Sequence, residues 1–211
     1  MSQDHTFWFL TRAAGLTAYV LLFATVVLGL TMTGGLVGRL FRRYHAYDLH
    51  RFVSLLALGM VSFHVVIVLP DAYFRFNLAQ LLVPFASPYR PLFLALGLGS
   101  LYTMGVIVVT FYLPSLVPYR AWRLIHYATF GAFALALAHG VGAGADSGAG
   151  WARYLYAGTG LVVFNLTVYR MLLGSARPGR EPPREAAAGL PAARGAAASA
   201  SGLSTLATTR D

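Results

Sequence analysis

The sequence predicts an all-α integral membrane bundle with five transmembrane helices, and three observations lead there. Of the 211 residues, 57% are hydrophobic and 11% charged, with a mean hydropathy of +0.63, too apolar and too poor in charge for a soluble domain. Five apolar runs each reach the roughly 20 residues needed to cross a hydrocarbon core. The arginines collect in alternate connections between those runs, as orientation in a bilayer requires.

The first run extends from Phe7 to about Thr33. It is longer than a signal-peptide core and is followed by no small-residue cleavage site, so it is expected to remain as helix A. Gly34 to Asp48 reads as a loop carrying Arg39, Arg42 and Arg43. Helix B covers about Leu49 to Leu69 and stops at Pro70, which has no amide to continue the ladder. In the long connection from Asp71 to Arg90, the apolar stretch Asn77 to Phe85 is too short to span, so a re-entrant or interfacial turn is expected. Helix C follows Pro91 and reaches about Tyr112. Helix D runs from about Trp122 to Gly140, and helix E from about Trp151 to Leu173. The chain thus divides into a membrane domain, 1–173, and a cytoplasmic tail, 174–211, rich in Ala, Pro and Arg. The tail has too few large apolar residues to bury a core and is expected to be disordered.

All 16 basic residues are arginine and the net charge is +9. A pI near 10.3 invites a nucleic-acid reading, but these arginines lie between apolar runs and in the tail, where they orient the chain in a lipid bilayer; no nucleic-acid partner is expected. The A–B loop, the C–D loop and the tail are rich in arginine, whereas the N-terminus, the B–C loop and the D–E loop hold Asp4, Asp71 and Asp146. The positive-inside rule then puts the N-terminus outside and the C-terminus in the cytoplasm. The absence of cysteine excludes disulfides, iron–sulfur clusters and covalently attached c-type haem.

Four of the six histidines carry the chemistry. His50 and His64 stand about 21 Å apart along helix B, and His126 and His139 about 20 Å apart along helix D. Metal–imidazole bonds are about 2 Å long, so no ion can bridge two ligands of one helix. Each site must therefore take one histidine from each helix. The topology makes B and D parallel, which pairs His50 with His126 and His64 with His139. Two opposed imidazoles without a nearby thiol or carboxylate suit the axial positions of a haem iron better than a tetrahedral zinc. An interhelical hydrogen bond is the competing reading of a membrane histidine, and His5 and His45 fall outside the pattern. At about 100° per residue, His139 lies roughly 140° around an ideal helix from His126, so helix D is expected to bend or carry a π-bulge near Gly131, or to use different rotamers. Arg51, Arg120 and Arg123 flank the inner pair, where they can orient the chain or pair with haem propionates. Arg12, inside the outer end of helix A, either snorkels or meets an outer propionate. The glycine-rich run Gly140 to Gly150 has no preceding strand and is read as a flexible loop rather than a phosphate cradle, with Asp146 as a solvated carboxylate.

The motifs LHRFVSLLALGMVSFH, VPFASPYRPL, RLIHYATFGAFALALAHG and the DSG of the outer loop resemble the ferric reductase-like transmembrane domain shared by NADPH oxidases, STEAP-type metalloreductases and the haem subunit of the bacterial methionine sulfoxide reductase system. The likeness covers about Trp8 to Leu173. It implies that His50, His64, His126 and His139 bind two non-covalent b haems that carry electrons across a bacterial cytoplasmic membrane. The flavin and NADPH domain of the oxidase-type members has no counterpart in the tail, so the donor is expected to be a separate flavin reductase or a membrane quinol. The acceptor would lie outside: ferric iron, oxygen or a partner reductase. A haem-bearing anchor for a reductase and a non-redox bundle are the alternatives.

Overall fold

The computed structural model describes residues 6–33, 43–70 and 76–175. Helices form everywhere the apolar runs are long: α1 (Thr6–Thr33), α2 (Arg43–Ile67), α4 (Pro91–Tyr112), α5 (Tyr119–Ala143) and α6 (Gly150–Ser175), with the single turn α3 (Leu78–Leu82) between α2 and α4. The described residues contain no strand. Four helices, α1, α2, α4 and α5, are long and apolar enough to cross a membrane. α6 is as long, with 26 residues, but Arg153, Asn165 and Arg170 dilute its apolar content.

Helix α2 starts at Arg43, six residues before the expected boundary. Arg43 to Asp48 contains no proline or glycine, and a polar end of a membrane helix can continue its hydrogen-bond ladder beyond the hydrocarbon. The remainder of the A–B loop, with Arg39 and Arg42, lies outside the described residues, as do Asp71 and the tail 176–211. The stretch Asn77 to Phe85 forms only α3, started by a capping box in which Asn77 and Gln80 exchange side-chain and backbone hydrogen bonds. α5 is α-helical throughout, with no π turn at Gly131.

The helices alternate in direction. α1 packs mainly along α2, and α4 along α5, while α6 lies against α1 and α5. Tyr19, Leu22, Val26 and Leu30 of α1 meet Met104, Phe133, Tyr156 and Val163 in one core. The Tyr19 hydroxyl shares a buried 2.5 Å hydrogen bond with Thr159 Oγ1, and Ser100 Oγ donates to the Ala132 carbonyl at 2.9 Å, each contributing about 1 kcal/mol net. The outward faces are apolar: Phe52 and Val66 of α2, Val106 of α4, and Leu161, Phe164 and Met171 of α6 are all at least half exposed. Apolar exposure over several helices is what lipid contact or a partner would cover.

Candidate functional site

The alternating packing brings the four histidines into two couples across the bundle. The ring centres of His50 and His126 are 6.3 Å apart, and those of His64 and His139 are 6.4 Å apart. α2 and α5 are therefore parallel. A metal held between two imidazole nitrogens at about 2 Å each, with ring centres roughly 1.1 Å further back, separates those centres by about 6 Å. Both couples have that separation. Their ring planes are crossed by 71° and 72°, so the two ends repeat one arrangement.

The couple at the His64 end is fixed by backbone. His64 Nδ1 lies 3.0 Å from the Thr11 carbonyl and His139 Nδ1 2.8 Å from the Phe93 carbonyl. A carbonyl only accepts, so both Nδ1 atoms carry the proton and both neutral rings keep a bare Nε2. Neither ring can then donate to the other, which excludes a hydrogen bond between two neutral imidazoles. Nδ1–H bonded to a backbone carbonyl is also the usual outer support of a metal-bound histidine. Glycines make room for these rings: a Cβ on Gly15 would stand 2.9 Å from His64, and one on Gly97 2.7 Å from His139 Nδ1.

At the other end α1 repeats the device fourteen residues later. His50 lies beside Gly29, where a Cβ would come within 3.4 Å, and its Nδ1 faces the Thr25 carbonyl without reaching hydrogen-bond geometry. Thr11–Gly15 and Thr25–Gly29 are thus two copies of one T-x3-G cradle, in step with the spacing of His64 and His50. Sequence reasoning missed them, although the repeat is visible in the chain. His126 has no such cradle: its Nδ1 is buried without a partner, and its ring lies under Trp122, 5.1 Å between centres and 23° from parallel. The large turn between His126 and His139 is accommodated without a π turn in α5: His139 leans on α4 at Phe93 and Gly97 while His126 does not.

A cavity with about 220 Å³ open to the centre of a water molecule adjoins the His64 couple, with Thr11, Arg12, Tyr19, His64, His139 and Tyr156 on its wall. One water needs roughly 10–15 Å³ by that measure, so the space suits a large organic group. The Thr11 hydroxyl, in a residue 8% exposed, has no partner there. Among the described residues no three His, Asp or Glu side chains gather as a cage for a bare ion. At the His64 end, paired imidazoles at metal-bridging separation, bare Nε2 atoms and an adjoining apolar cavity fit a bis-histidine haem; of these features the His50 couple shares the separation alone.

The arginines are placed less uniformly. Arg12 lies on the cavity wall, and its guanidinium grips Asp146 with two prongs, Nε to Oδ2 at 2.9 Å and Nη2 to Oδ1, while stacking over Trp8 at 4.1 Å. Asp146 is therefore an ion-pair partner, 17% exposed, rather than a solvated loop carboxylate. Arg51 sits at the His50 end among Tyr47, Phe111 and Tyr112, 5.4–5.8 Å from their ring centres, with its Nε buried and unpartnered. Arg123 is exposed beside Tyr127, and Arg120 is also exposed. Arg170 of α6 reaches over Tyr127 at 5.9 Å, toward His126; it went unnoticed because α6 has no histidine to draw attention to it. Compared with family models, curated proteins and solved structures, the chain matches none.

Proposed function

We propose that this chain is a two-haem transmembrane electron carrier of the ferric reductase-like kind, and the observation that carries the reading is the pair of imidazole couples at 6.3 and 6.4 Å. His50 with His126 and His64 with His139 would each hold one non-covalent b haem. When bound, such groups would supply one-electron redox chemistry, and two histidines committed to each would favour transfer at the haem edge over oxygen binding.

The chain's own residues do the rest. Thr11 and Phe93 fix the tautomers of His64 and His139. Gly15, Gly29 and Gly97 let the rings lie close against α1 and α4, and the apolar packing of Leu22, Val26 and Phe133 keeps water from the path between the ends. Arg51, Arg123 and Arg12 stand near enough to the two ends to meet carboxylates, as guanidinium forks do well.

In this proposal α6 is the fifth span, since Leu161, Phe164 and Met171 face outward and would meet lipid. The N-terminus of α1 lies at the His64 end and the C-terminus of α6 at the His50 end. Arg51, Arg120, Arg123 and Arg170 cluster at the latter, so the positive-inside rule makes it cytoplasmic in a bacterial membrane. Electrons would come from a flavin reductase or a quinol to the His50 end and leave from the His64 end to ferric iron, oxygen or a partner reductase. A reduced-minus-oxidised spectrum of protein purified from haem-replete cells tests this. Two b-type components are expected, and the absence of any would sink the proposal.

A further inference from the structure

Three of the four imidazoles lie against a backbone seat. His64 and His139 each donate Nδ1–H to a carbonyl beside a glycine, and His50 lies beside Gly29 facing the Thr25 carbonyl. His126 shares the unpartnered, buried Nδ1 of His50, and no described glycine has its ring as a nearest neighbour. A single bond from Cβ leaves an imidazole free to swivel about its ring axis, so something else must set this ring's angle. Trp122, one turn earlier on α5, lies 5.1 Å from His126 at 23°. Tyr119 also stacks on Trp122, at 6.0 Å and 21°, and Phe111 of α4 lies against the indole at 6.1 Å, tilted by 46°. Tyr119, Trp122 and His126 follow the i, i+3, i+7 spacing of one helix face, so the stack is built into α5 and braced from α4.

We propose that Trp122 is the positioning residue for His126, its indole face substituting for the carbonyl and glycine that hold His64 and His139 and for the glycine that lies beside His50. The inference rests on the two-haem reading. Stacking against a parallel aromatic plane resists rotation of the imidazole about the metal–nitrogen axis, and that orientation sets how the ligand overlaps the iron d orbitals. One of the two haems is thereby tuned by an aromatic plate, and the other by hydrogen bonds.

The test is electron paramagnetic resonance of the oxidised protein together with potentiometric titration, on wild type, Trp122→Leu, Trp122→Phe and Tyr119→Leu. Trp122→Leu is expected to shift one low-spin signal and one midpoint potential while the other pair stays fixed. Trp122→Phe, which keeps a ring but not the N–H, should restore both. Tyr119 is 70% exposed, so Tyr119→Leu leaves folding intact and should move the same signal the same way by less; it decides the matter alone if Trp122→Leu does not fold. Two unmoved signals in both leucine variants, or a Trp122→Phe protein that behaves like Trp122→Leu, overturn the role of the ring face. A wild type without any b-type absorbance overturns the two-haem reading as well, whereas wild-type signals that ignore these substitutions overturn this inference only.

Discussion

The two ends of the histidine cleft have the same ring separation and the same crossing angle but are built by different means. At the His64 end, backbone carbonyls of two helices hold both rings, glycines open the space, and a cavity adjoins them. At the His50 end, a glycine and an aromatic stack hold the rings, and five buried polar atoms lack partners: Nδ1 of His50 and His126, Thr25 Oγ1, Arg51 Nε and Trp122 Nε1. Hydrogen bonds define an angle narrowly and depend on one atom, while a stack tolerates small displacements. The first end is thus the more rigid seat and the second the more adjustable.

On the two-haem proposal, the largest expected effect comes from the four histidines themselves. His64→Ala or His139→Ala should remove the b-type signal of one end, roughly half of the difference spectrum, because bis-histidine iron loses its site with either ligand; His50→Ala and His126→Ala should remove the other half. A His64→Ala protein that keeps the full amplitude would break the equivalence of the two couples. Glycine substitutions sharpen the contrast. Gly97→Ala puts a methyl 2.7 Å from His139 Nδ1, and overpacking of a ring already fixed by hydrogen bonding costs about 1–3 kcal/mol, read as haem loss on dilution or a lower Tm in detergent. Gly29→Ala meets His50 only at 3.4 Å and recovers helix propensity worth about 1 kcal/mol, so that protein should be as stable as wild type or more so.

A smaller effect follows at the Arg12 pair. Asp146→Asn leaves a half-buried guanidinium with a weaker partner and should lower stability by about 1–2 kcal/mol, seen as an earlier thermal transition, with the His64 haem potential moving more than the other. The smallest belongs to Arg170→Gln. Loss of one positive charge near His126 should change stability by less than about 0.5 kcal/mol and lower only the potential of the His50 haem, because the oxidised centre no longer faces that charge. Equal shifts at both haems would show that the two ends do not sense their surroundings separately.

Much of this was legible in the chain. The apolar lengths marked the helices, and the 14-residue and 13-residue spacings of the histidines allowed the pairing once helices B and D were taken as parallel, which the two couples bear out. The repeat of Thr11–Gly15 at Thr25–Gly29 was equally readable and was overlooked, because a small residue in an apolar run carries no chemistry until its neighbour is known. Other features were out of reach. Arg12 and Asp146 are 134 positions apart, and no local rule links them. The seat of His139 is a carbonyl, which every residue possesses, so only packing could choose Phe93.

The sequence by itself determined the apolar lengths, the places where proline ends a helix and the spacing of the imidazoles, since these follow from hydrophobic transfer, the missing proline amide and the fixed rise of an α-helix. Tertiary structure alone decided which backbone groups and rings hold each imidazole. Those contacts join elements distant in the chain, and their selection depends on how close two helices can approach.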